Sequence, residues 1–229
     1  MWWFVLVGAT LPGCVVVVDP SMEVDEVRAV EAFSAVANDS RLDVEIAAGQ
    51  AHGLVVHCDE NKLDQIETTV VGGELRISTR SVGLFESWGQ CYATVTTPSL
   101  GALSSAGSGD LTAIGDWPGL SSITSSGSGD MDAQGIDTDS LDLVVSGSGD
   151  LHATGVAQFT SVTLNGSGDV EADDLEATNA DIVSNGSGDV SLWVSGAASV
   201  TLHGSGDVLL YGEPQVDIHD TGSGDVVLN

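Results

Sequence analysis

Positive charge is what this chain lacks most. Five Lys and Arg stand against 34 Asp and Glu, a formal net charge of −29. All five bases (Arg28, Arg41, Lys62, Arg76, Arg80) lie in the first eighty residues, and from Ser81 to Asn229 there are 21 acidic residues and no Lys or Arg. Such a body cannot neutralise phosphates, which excludes nucleic acid and anionic headgroups as partners and leaves cations, cationic proteins and neutral glycans. It also excludes cleavage of acidic polysaccharides by any route that needs Lys or Arg to take a proton or to balance the substrate's carboxylate. No window of the second half carries apolar residues at three-and-four spacing without a glycine interruption, so a helical repeat is excluded too. Gly-x-Ser-x-Gly elbows, phosphate loops and Cys–His pairs are all missing. The five histidines (His52, His57, His152, His203, His219) show no metal-ligand spacing with one another or with the three cysteines. Aromatics make up only 5% of the chain, a scarcity that would suggest disorder were it not for the aliphatic pattern below.

What is present is a repeat. Gly-Ser-Gly-Asp occurs seven times, starting at Gly107, Gly127, Gly147, Gly166, Gly186, Gly204 and Gly222, in steps of 20, 20, 19, 20, 18 and 18 residues. A fixed period of this size marks a stacked repeat with one supersecondary unit per copy. Four positions before each tetrad sits an aliphatic residue: Leu103, Ile123, Leu143, Val162, Ile182, Val200, Ile218. Directly after each Asp comes another: Leu111, Met131, Leu151, Val170, Val190, Val208, Val226. Two further on, Ala or Leu completes the pattern, from Ala113 to Leu228. Apolar residues two apart with polar ones between are short half-buried strands. One such strand cannot bury its apolar face alone, but coil stacked on coil makes a continuous core. The expected fold is all-β: a single-stranded parallel β-helix, a solenoid of about 16–20 residues per coil. The tetrad glycines are expected to bend the chain through positive φ.

The chain divides into four stretches. Residues 1–13 are apolar and end in Leu11-Pro12-Gly13-Cys14, a lipoprotein-type signal that makes Cys14 the lipidated residue of a mature protein; an uncleaved anchor is the alternative. Either places the body outside the cytoplasmic membrane, and Val15 after the cysteine favours the outer membrane, with periplasm or cell surface as the wider setting. Contact with a membrane is expected only through this N-terminal lipid or anchor. Residues 14–27 read as a tether. Residues 28–100 read as opening coils and a cap, with strands around Val36, Val44 and Val56, a helical turn over Asn61–Ile66 capped by Asn61, a Gly72-Gly73 hairpin, and a strand over Tyr92–Thr97. Residues 101–229 are the tetrad repeat. Its final strand leaves an edge that is either exposed or covered by another copy, and the second case is a homo-oligomer.

The order of these motifs carries a resemblance. "Asp-Glu-Asn-Lys-Leu-Asp" leads into "Val-Val-Gly-Gly-Glu-Leu-Arg-Ile", and "Val-Thr-Thr-Pro-Ser-Leu" runs into repeated Gly-Ser-Gly-Asp. Over roughly residues 30 to 229 this resembles the head GIN domain family, described as auto-transporter adhesins of the bacterial cell envelope. The resemblance implies a right-handed parallel β-helix and an envelope location; it implies no chemistry.

The candidate sites follow from the repeat. Asp110, Asp130, Asp150, Asp169, Asp189, Asp207 and Asp225 form a ladder. One expectation for it is a set of calcium sites, since carboxylates in glycine-rich turns suit that hard cation. The favoured expectation is structural, each Asp accepting backbone N–H bonds inside its own turn. Stacked at roughly 4.8 Å, neighbouring carboxylates repel by roughly 1 kcal/mol per pair even in water, so hydrogen bonds or cations must offset them. Cys58 and Cys91 either bridge adjacent early coils or lie as two buried thiols. Asn165 and Asn185, one coil apart, suggest an Asn ladder. Trp88, Trp117 and Trp193 either form a glycan-stacking surface or cover coil corners. A catalytic pair should be singular, whereas these acids recur in every coil. The chain is therefore expected to be a non-catalytic envelope protein, without cofactor, that binds a glycan or protein or serves structurally; a glycan-active or calcium-dependent module is the alternative.

Overall fold

The computed structural model describes residues 23–80 and 91–229. The signal segment, Cys14, most of the tether and Trp88 lie outside the described residues. Among the described residues eighteen strands follow in chain order. The first seven are β1 (Glu23–Arg28), β2 (Ala35–Asp39), β3 (Asp43–Ala48), β4 (Gly53–Asp59), β5 (Ile66–Val71), β6 (Glu74–Thr79) and β7 (Tyr92–Thr97). Next come β8 (Ala102–Ser105), β9 (Leu111–Pro118), β10 (Ser122–Ser125), β11 (Met131–Val145), β12 (Leu151–Leu164) and β13 (Val170–Ser184). The last are β14 (Val190–Val194), β15 (Ala197–Leu202), β16 (Val208–Tyr211), β17 (Gln215–Asp220) and β18 (Val226–Leu228). Residues 23–27, expected as tether, belong to β1.

From β8 onward every pairing is parallel, as a β-helix requires, and the register holds along each face and shifts only at the corners, between Gln134 and Ile136, His152 and Gly155, and Ala172 and Glu176. One face stacks β8, β10, the later halves of β11, β12 and β13, then β15 and β17. The other stacks β9, the earlier halves of β11, β12 and β13, then β14, β16 and β18. The tetrad turns join first face to second. The aliphatic columns read from the sequence are the core: Leu103, Ile123, Leu143, Val162, Ile182 and Val200 are buried on one face, Leu111 to Val208 on the other. In the last coil the same columns surface, with Ile218 at 45% and Leu228 at 54% exposure. No step between tetrads is as short as 16 residues; the steps narrow only from 20 to 18.

The glycines serve a purpose other than the one expected. None of the tetrad glycines has positive φ; among the described residues that conformation belongs to Gly72, Gly73, Gly119, Gly135, Gly155, Gly212 and Glu213. A Cβ on any tetrad glycine would instead overlap a backbone carbonyl oxygen of the preceding coil, as at Gly127 against Gly107 and Gly149 against Gly129. Close approach of successive coils, not backbone handedness, fixes glycine here. Gly72 and Gly73, at φ 64° and 83°, do form the expected two-residue hairpin between β5 and β6.

The opening region departs from a simple spiral. The β2–β3 coil is sandwiched: β2 pairs with β6 on one side and β8 on the other, and β3 with β7 and β9. The chain thus lays down β2–β3, builds the outer β6–β7 coil beside it, and returns to the far side for β8–β9. Three antiparallel pairings close the outer end: β1 with β4, β4 with β7, and β5 with β6. The helical turn is a 3₁₀ segment at Glu60–Gln65 preceded by Asp59, one residue earlier than expected and with no side-chain cap bond. Arg28 ties it down, donating to the Leu63 carbonyl at 3.0 Å and the Ile66 carbonyl at 2.7 Å.

Candidate functional surface

The tetrad turn is threaded to its neighbours by three hydrogen bonds. The Ser N–H donates to the first Gly carbonyl of the preceding coil, as Ser148 does to Gly127 at 3.0 Å. The residue after Asp donates its N–H to the Asp carbonyl of the next coil, as Met131 does to Asp150 at 2.8 Å. Every Asp carbonyl therefore points backwards, and the next Asp N–H meets no backbone acceptor. The Asp side chain supplies one. Asp130 donates to Asp110 Oδ1 at 2.9 Å, Asp150 to Asp130 at 2.9 Å, Asp169 to Asp150 at 2.8 Å and Asp189 to Asp169 at 2.8 Å. Asp207 donates to Asp189 at 2.7 Å and Asp225 to Asp207 at 2.8 Å. The carboxylates bond between coils, not within their own turn as the sequence suggested. The charged acceptor also stabilises each rung against the neighbouring negative charge.

The ladder begins one coil earlier than the tetrads do. Asp110 N–H donates to Asp43 Oδ1 at 3.0 Å. Asp43 has no glycines before it, so the tetrad pattern does not find it; its place just before the Val44-Glu45-Ile46 alternation does, because Val44 lies in register with Leu111. Here Asn38, fully buried, does part of the turn's work, its Nδ2 donating to the Leu42 carbonyl at 2.9 Å and the Gly109 carbonyl at 3.2 Å.

Beside the ladder, Asp110, Asp130, Asp132, Asp150, His152 and Glu171 line an acidic hollow, with His152 Nδ1 2.9 Å from Asp132 Oδ1. Among the described residues no group of three or more His, Cys, Asp or Glu is placed to hold a metal ion. The Asn ladder is present: Asn185 Nδ2 donates to Asn165 Oδ1 at 2.8 Å. His203 lies 2.5 Å from Thr221 Oγ1 and edge-on to His219. At the cap, His57 stacks on Tyr92 at 4.3 Å and contacts Asp25 at 2.7 Å, while His52 tilts against Phe33. Cys58 and Cys91 are joined by a disulfide across the antiparallel β4–β7 pair, stapling the cap instead of linking two parallel coils.

A second surface lies at the corner where the second face returns to the first. Here the outward residues Asp137, Val156, Glu176 and Trp193 stand in register, one per coil. Two residues further along each coil come Asp139, Gln158, Thr178 and Ser195, and the two rows border a trough of about 500 Å³. The trough stops where coil length drops from 20 to 18: Ala172 and Glu176 pair with the consecutive Leu192 and Trp193, so Asp173, Asp174 and Leu175 have no counterpart in the next coil. Trp193 is half-buried at this step, whereas Trp117 is 1% exposed and lies in the core in register with Ile136. The two tryptophans do not share a surface.

The family described as "Putative auto-transporter adhesin, head GIN domain" matches residues 32–214. A crystal structure of a putative adhesin from Bacteroides fragilis superposes with a TM-score of 0.86 at 21% identity, covering 91% of this chain and 97% of that one. A putative adhesin from Parabacteroides distasonis gives 0.70 at 15% identity, covering 92% and 98%. A putative lipid binding protein from the same species gives 0.68 at 22%, covering 90% and 96%. At these identities the likeness is one of fold. The search of curated proteins returns no match.

Proposed function

The chain belongs to the head GIN domain family, and from that premise we propose that it is a non-catalytic binding protein of the bacterial cell envelope, held at the outer membrane by lipid on Cys14 and offering its acidic β-helix to a surface ligand. The observation that carries this reading is the fate of the tetrad carboxylates. The most prominent polar motif is spent, identically from coil to coil, on rungs between Asp N–H and Asp Oδ1. It is a clasp that builds a long, stiff body, and binding falls to the faces that body displays. The Cys58–Cys91 disulfide supports an oxidising compartment, and the net charge of −29 disfavours anionic partners.

The test is fractionation and binding together. In cells expressing the full chain, the protein should partition with the outer membrane and incorporate an alkyne-labelled fatty acid. Cys14→Ser should abolish the label and release the protein into the soluble fraction. Purified protein should adhere to glycan- or protein-coated surfaces without turning over any glycan. Recovery of Cys14→Ser in the membrane, or turnover abolished by a single Asp substitution, would overturn the proposal.

A further inference from the structure

We propose that the corner trough is a binding site for a linear neutral oligosaccharide, an inference that rests on the binding role proposed above and names its ligand class. The trough alternates chemistry in the way a pyranose chain requires. Trp193 and Val156, the latter 44% exposed, present apolar surface against which sugar C–H faces stack. Asp137, Glu176, Gln158 and Thr178 lie among them and offer acceptors, with donors from the amide and hydroxyl, to ring hydroxyls. The site runs along the solenoid axis through four coils, at about 4.8 Å per coil, so its shape suits a chain and not a compact molecule. The carboxylates repel a uronic acid or sialylated chain, and no Lys or Arg beyond residue 80 is available to reverse that. A purely cationic ligand would need carboxylates alone; the indole at one end and the valine and the carboxamide at the centre favour the uncharged chain.

The site is built into the fold. The coil after Gly186 lacks the three-residue corner segment that Asp173, Asp174 and Leu175 occupy one coil earlier and regains one residue between Val194 and Ala198, a net shortening of two. Trp193 then stands in the outward register position, close to Gly212 of the following coil, where a Cβ would lie 2.6 Å from the Val194 carbonyl oxygen and 2.9 Å from Trp193 Cε2. Gly212, at φ 90°, is glycine for its own backbone as well, and it leaves room for the indole at the end of the trough.

The experiment uses the intact protein and a panel of linear neutral tetrasaccharides, cellotetraose and maltotetraose among them, with tetragalacturonate and tetralysine as charged comparators. Calorimetry should show saturable binding of a neutral member with a shift in indole emission. Trp193→Ala should weaken it about tenfold and Gln158→Ala, an exposed change that leaves packing intact, should weaken it measurably. Absence of binding by every neutral tetrasaccharide, binding of tetralysine only, or affinity untouched in both variants would overturn the proposal. Surface adhesion that persists in Trp193→Ala under those outcomes leaves the wider binding role standing. Loss of all adhesion by the unaltered protein overturns both.

Discussion

Replacing Gly149 with Ala tests the physical cause of the tetrad most sharply. A methyl at this position overlaps the Gly129 carbonyl oxygen, and the obstacle is backbone, which no side-chain rotation can relieve. Coils must part locally, stretching the Ser148-to-Gly127 bond, the Met131-to-Asp150 bond and the Asp150-to-Asp130 rung. Each such bond contributes about 1 kcal/mol net, and overpacking adds a further term of about 1–3 kcal/mol, so the expected loss is about 4–6 kcal/mol. Against a net stability of about 5–15 kcal/mol this is large. Two comparisons isolate the cause. Ser148→Ala, at an exposed side chain, should stay within about 0.5 kcal/mol. Gly149→Asn should be as damaging as Ala, whereas Gly72→Asn should be tolerated, because Asn accepts positive φ but brings a Cβ. Urea unfolding followed by circular dichroism measures all four. Equal midpoints for Gly149→Ala and Ser148→Ala, or tolerance of Gly149→Asn, would refute the close-approach argument.

Further expectations concern the ladder, the cap and cations. Asp150→Asn keeps Oδ1 as an acceptor and removes a like charge, so thermal melting should be unchanged or slightly raised, while Asp150→Ala should cost about 1–3 kcal/mol. Removing the Cys58–Cys91 link, which spans 33 residues, should cost about 4 kcal/mol on loop-entropy grounds. The loosening should be confined to the cap, visible as new proteolytic cuts in residues 23–97 with the tetrad coils still protected. Chelator should leave the melting curve in place, since each inner tetrad Oδ1 already accepts an N–H; a large fall on chelation would restore calcium to the turns.

How far the sequence carried these conclusions depends on which interactions repeat. The columns through Ile123, Leu143 and Ile182 recur at constant offset, so both strand faces and their parallel stacking were legible. The Gly72-Gly73 turn was legible because its geometry is local. The reason for the tetrad glycines was not: a missing side chain looks the same whether it serves positive φ or close approach, and only the neighbouring coil distinguishes them. The sandwiched β2–β3 coil was hidden because alternation identifies a strand but not its partner. Asp43 escaped for the opposite reason, performing the ladder's chemistry without the ladder's glycines. The corner trough depends on the length change after Gly186, visible as a shorter step yet unreadable as a groove until the register placed Trp193 opposite Glu176.

Amide hydrogen exchange at the tetrad aspartates tests the central claim most directly. Asp130, Asp150 and Asp189 are exposed residues at the rim of a turn, so unbonded amides there should exchange as fast as any surface loop. If each carboxylate clasps the next coil, these N–H groups should be protected to the same degree as those of buried Leu151 and Val190, and Asp130→Ala should expose the Asp150 amide alone. Rapid exchange at all three in the unaltered protein would contradict the clasp and return the tetrad to the status of a free carboxylate array.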